Sequence, residues 1–101
     1  MPDRFYDRDG QPITEDRWAD LFFGAGFARV ARHELDAGVV STIWWGFDPH
    51  ASDRPGGNPL IFETVVFDRE GDVVELYRYR SEGEAIAGHA VAVDHLRERA
   101  S

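Results

Sequence analysis

Two stretches decide the reading of this chain: Val39-Val40-Ser41-Thr42-Ile43-Trp44-Trp45-Gly46-Phe47 and Leu60-Ile61-Phe62-Glu63-Thr64-Val65-Val66-Phe67. Both are dense in β-branched and aromatic residues, the types that fit a pleated, half-buried surface. Successive side chains of a strand point to opposite faces. In the first stretch Val39, Ser41, Ile43, Trp45 and Phe47 therefore oppose Val40, Thr42, Trp44 and Gly46. In the second, Leu60, Phe62, Thr64 and Val66 oppose Ile61, Glu63, Val65 and Phe67. Neither strand has a polar face, and strands that are apolar on both sides are usually covered on both.

Two further strands flank this pair. Val73 to Arg80 follows the turn Asp68-Arg69-Glu70-Gly71-Asp72. Phe27 to Leu35 precedes the hairpin-sized break Asp36-Ala37-Gly38, and is the weakest of the four because Arg29, Arg32, His33 and Glu34 interrupt it. Asp48 to Pro59, with three prolines and two adjacent glycines, reads as a loop. A helix is expected on each side of the strands. At the first, Thr14 is the cap, Glu15 and Asp16 suit the positive end of the helix dipole, and Ile13 can staple onto Trp18. Trp18, Leu21, Phe22 and Ala25 share its inner face, and Gly24 and Gly26 end it. Ser81-Glu82-Gly83-Glu84 is a capping box that opens the second helix, with Ile86, Val93 and Leu96 expected on its core side and Arg97 and Arg99 in its last turn.

The fold class that results is α+β: a four-stranded antiparallel meander flanked by a short N-terminal helix and a longer C-terminal helix packed on one face. All 101 residues are expected to form one domain, with residues 1–12 loosely attached. The long helix can cover one face of the sheet. The expected surplus apolar surface is drawn from Trp44, Trp45, Phe62, Phe67, Tyr77 and Tyr79, and self-association as a two-fold dimer follows from it. Trp44 and Trp45 point to opposite faces, so one is expected in the core and the other at an interface.

Composition narrows the function classes. The formal charge is −8, from 11 arginines and no lysine against 19 acidic residues. Duplex nucleic acid, whose binding is dominated by cations on phosphates, is not an expected partner. No apolar run approaches the length of a membrane helix, and no secretion signal is read at the N-terminus, so the cytoplasm is the expected compartment. Cysteine is absent, which removes disulfides, thiolate metal sites and cysteine nucleophiles. No phosphate loop, glycine fingerprint or Ser-His-Asp order is present. His89 and His95, six apart on a helix, cannot share a metal, and no cofactor is expected. His89 lies on an apolar helix face, where a satisfied core imidazole is the plain expectation. Glu63, the carboxylate inside an apolar strand, is expected to pair across the sheet with an arginine such as Arg78.

The combination Tyr6-Asp7-Arg8-Asp9-Gly10-Gln11-Pro12-Ile13, Arg29-Val30-Ala31, Val40-Ser41-Thr42-Ile43-Trp44, Pro59-Leu60-Ile61-Phe62-Glu63-Thr64 and Glu84-Ala85-Ile86-Ala87-Gly88-His89 resembles a family of small proteins encoded by bacteriophages and actinobacteria. Trp45 stands where that family usually has leucine, and Gly83 where it has an acid. The resemblance implies a bacterial host cell or a virion as the setting and brings no activity with it.

The reading that results is an acidic protein-interaction or accessory module acting on a protein partner or on itself. Its candidate surface is Trp44, Trp45, Phe62, Glu63, Tyr77, Tyr79 and His89. Two alternatives stay open: a structural component of a phage particle, and a small enzyme using Glu63 and His89 beside an aromatic pocket.

Overall fold

The computed structural model describes residues 4–49 and 59–100. Along the chain these form β1 (Phe5–Tyr6), β2 (Pro12–Ile13), α1 (Glu15–Phe22), β3 (Arg29–Leu35), β4 (Gly38–Trp44), β5 (Phe62–Asp68), β6 (Val73–Tyr79) and α2 (Glu82–Ala100). The expected meander is present: β3-β4-β5-β6 are neighbours in that order and every pairing is antiparallel. Most of the expected loop, including His50 and Asp53, lies outside the described residues.

Register fixes the two faces. Thr42 pairs with Ala31 on one side and Thr64 on the other, and Thr64 pairs with Tyr77. That row, with Val40, Trp44, Phe62 and Val66, faces α2. The alternate row runs Arg32, Ser41, Val65, Leu76 and faces away from it.

The side under α2 holds two buried apolar clusters. Val40, Val66, Ala92, Val93 and Leu96 form one buried cluster. Trp44, Ile61, Phe62 and Ala85 form another, with Trp18, Leu21 and Phe22 of α1 packed against it. Ser81 caps α2 by accepting from the Glu84 amide (3.2 Å), and its hydroxyl donates to the Glu84 carboxylate (3.2 Å). The helix buries Ala85, His89, Ala92, Val93 and Leu96, a stripe at intervals of four, three, one and three. This stripe corrects one expectation. Val93 and Leu96 face the core, but Ile86 is 53% exposed. Alanine at 85 takes the inner position because the helix lies close to the sheet. A Cβ on Gly88 would collide with the Tyr79 ring and hydroxyl, so only small residues fit along that line.

The N-terminal segment, expected to be loosely attached, is instead tied down over its described part. β1 and β2 pair as a hairpin. The Tyr6 amide donates to the Gly46 carbonyl (2.7 Å), the Trp44 indole donates to the Tyr6 carbonyl (3.1 Å), and Arg8 bonds Glu82 (2.7 Å) and the Phe27 carbonyl (2.7 Å). Thr14 caps α1, accepting from the Arg17 amide (3.1 Å). The helix ends at Phe22, so Ala25 falls beyond it and is exposed.

Helix α1 covers an end of the sheet and not its second face. The Trp18 indole donates to the Trp45 carbonyl (2.7 Å), and Phe22 stacks on Trp45 with ring centroids 5.5 Å apart. Gly46 makes this junction possible: its φ is +79° and its missing Cβ leaves room for the Trp18 and Trp44 rings.

Candidate functional site

The seven residues expected to form one surface divide between two faces. Trp44, Phe62 and His89 are buried beneath α2, Trp44 completely (0% exposed), and so cannot meet another molecule. Tyr77 and Tyr79 lie on the same side, at the β6 edge, where Tyr79 packs against the cluster of Trp44 and Phe62. Only Trp45 and Glu63 belong to the outward face. The paired tryptophans thus separate as their alternation requires, Trp44 into the core and Trp45 half-buried outside it.

Glu63 and His89 lie on opposite sides of the sheet, so they do not converge on a common substrate position. Glu63 is buried and fully engaged. One carboxylate oxygen accepts from the Trp45 indole (3.1 Å) and the other from Arg78 Nε (3.1 Å). The cross-strand partner expected for it is the one found, Glu63 opposite Arg78 in the β5–β6 register.

The outward face carries an apolar band crossed by charges. Val39, Ile43, Val65 and Phe67 are half-buried, and Val73 and Leu76 on β6 are 56% and 50% exposed. Arg29 and Arg32 on β3 and Arg78 on β6 share this side with Glu34 and Glu63. Three arginines against two glutamates make the face nearly balanced, in a chain whose total is −8. Among the described residues no helix lies over it.

A buried polar belt crosses the other side. The Thr42 and Thr64 hydroxyls are hydrogen-bonded to each other (2.5 Å), Thr42 Oγ1 is bonded to His89 Nδ1 (2.7 Å), and His89 Nε2 is bonded to His33 Nδ1 (2.8 Å). Both ring nitrogens of His89 are therefore satisfied, and the residue is 4% exposed. Burial, and secondarily the neighbouring His33 ring, hold His89 below the ordinary imidazole pKa, so it is neutral near pH 7. The belt separates the two hydrophobic clusters along α2. Sequence reading missed His33 as a partner. The signal was available, because alternation in β3 puts His33 on the same side as Ala31 and Leu35, facing the helix.

Among the described residues no group of three or more His, Asp or Glu side chains could hold a metal ion, and no helix is long and apolar enough to cross a membrane. Compared with protein-family models, curated proteins and solved structures, the chain gives no match.

Proposed function

We propose that this chain is a protein-interaction module whose working surface is the outward face of β3–β6, and that its occupant is a second copy of the chain. The observation that carries the reading is the open apolar band, with Val73 and Leu76 half or more exposed on a sheet whose other face is covered by α2. Charge selects the occupant. An isologous contact sets a face against itself, so it must be self-complementary. Arg29, Arg32 and Arg78 against Glu34 and Glu63 provide both signs on a single face. Elsewhere two copies of a −8 chain repel each other. The resemblance to small phage and actinobacterial proteins fits an accessory role of this kind.

Sedimentation velocity across a concentration series tests the reading. A dimer that builds up with concentration is expected. It should strengthen as salt rises to about 0.15 M, where screening over roughly 8 Å removes the net repulsion but leaves the apolar contact intact. A monomer at every concentration and salt would refute it.

A further inference from the structure

We propose that the hydrogen-bonded pair His33–His89 is a pH-sensitive latch between the edge strand β3 and the helix α2, closed with up to one added proton and opened by a second. The argument begins with donors and acceptors. His33 Nδ1 and His89 Nε2 are 2.8 Å apart, so one carries the hydrogen and the other accepts it. In the neutral pair either ring can be the donor.

Burial opposes charge on His89, so the first added proton stays off that ring. With that proton on the partner ring, His33 would carry both N–H groups and its Nδ1 would have to donate. His89 is left as the tautomer with Nε2 accepting and Nδ1–H donating to Thr42 Oγ1. The Thr42 hydroxyl in turn donates to Thr64. Uptake of one proton at the surface thereby fixes the direction of every bond in the belt, from β3 to β5, without breaking any.

A second proton has a single place to go, His89 Nε2. There it would set N–H against N–H, and cation against cation, inside the closed layer. Among the described residues no negative group apart from Asp68, at the end of β5, lies on the helix side of β4 or β5. On the helix side β4 offers Val40, Thr42 and Trp44, and β5 offers Phe62, Thr64 and Val66. Glu75 of β6 lies at the opposite edge of the sheet from His33; its Oε1 takes Arg99 (3.1 Å) and the Tyr77 hydroxyl (2.9 Å), and its Oε2 is buried without a hydrogen-bond partner among the described residues. Tyr77 and Tyr79 complete the helix side of β6 and bring no negative charge, the Tyr77 phenol being raised by its bond to Glu75. Asp68 caps its own turn, accepting from the Glu70 and Asp72 amides. Arg32 and Glu34, beside His33 in sequence, point to the opposite face. Within α2, Glu82 is held by Arg8 and Glu84 by Ser81 at the first turn, while Asp94 and His95 are exposed. The two rings must therefore part, which breaks the side-chain hydrogen bond that joins α2 to β3.

Amide hydrogen exchange of α2 and β3, corrected for intrinsic rates, reads the latch directly. Between about pH 7.5 and about pH 5, protection around residues 85–93 is expected to fall about tenfold or more as the added protons open the pair. His89→Gln removes the titrating ring and should abolish most of that fall. His33→Gln, an exposed position that tolerates change, removes the facing cation and should shift the fall to lower pH. Equal acid sensitivity in wild type, His89→Gln and His33→Gln would overturn the proposal. If His89→Gln does not fold, wild type against His33→Gln decides alone: a shifted midpoint supports the latch, an unshifted one overturns it.

Discussion

The two faces of one sheet have been given opposite tasks by the same alternating strands. On the helix side, Val40, Trp44, Phe62 and Val66 are sealed by α2, and even the polar residues there, Thr42, Thr64 and His89, bond to one another. On the outward side the residues one step along, Val39, Ile43, Val65 and Leu76, are apolar too, but no described helix lies over them. The difference teaches that strand alternation alone does not decide what becomes core. The supply of covering elements decides, and this chain has one long helix. The covered face should therefore respond to mutation in stability, and the outward face in association.

The largest break in that comparison is expected from Trp44→Ala. Trp44 is fully buried and its indole also holds the N-terminal hairpin through Tyr6, so the loss should be about 3–5 kcal/mol, a large part of the total stability of a domain of this size. Circular dichroism of the purified variant checks it. Trp45→Ala should instead leave a folded chain with weakened self-association. Next comes Leu96→Ala, at about 2–4 kcal/mol by urea denaturation, because Leu96 is buried in the α2 cluster. A similar loss from Leu76→Ala would erase the distinction between the faces.

Gly88→Ala sharpens the comparison through its sign. At a free helix position alanine gains about 1 kcal/mol over glycine. Here the added Cβ would strike Tyr79, so a destabilisation of about 1–3 kcal/mol is expected in thermal melts. Ile86→Ala on the exposed side of the same helix should cost less than about 1 kcal/mol. The smallest effect concerns Glu63→Gln. It keeps the Trp45 bond and weakens the pair with Arg78, which is partly solvent-exposed, so a change of about 1 kcal/mol or less is expected by denaturant titration. The pH dependence has a definite sign. A histidine whose pKa is lowered by folding contributes its full stability above its ordinary value near 6.5 and loses it as pH falls below that.

Much of this architecture is legible in the residues. Strand order follows from the short breaks at Asp36–Gly38 and Asp68–Asp72, and the start of α2 from Ser81 and Glu84. The face of α2 was less legible. Periodicity alone admits Ile86 or Ala85 as the inner residue, and only the close approach of Gly88 to Tyr79 decides between them. The attachment of the N-terminus was not legible because it depends on backbone bonds, Tyr6 to Gly46 above all, that carry no side-chain signature. The candidate surface failed in a related way. It pooled aromatic residues by type, and Trp44 and Phe62 belong to the covered face while Trp45 belongs to the other. His33 escaped because a single histidine in a charged edge strand looks like solvent-facing polarity, although alternation sets it on the side of Ala31 and Leu35.

The claim that the outward face is an association surface is tested most directly by Leu76→Arg, measured by light scattering and thermal melting together. Leu76 sits on the edge strand of that face, opposite Val65, and is half exposed in the single chain. The account predicts a wild-type dimer, a monomeric variant, and melting of the variant within a few degrees of a wild type diluted to monomer. A variant that remains dimeric, or one that unfolds while wild type is monomeric throughout, would contradict it.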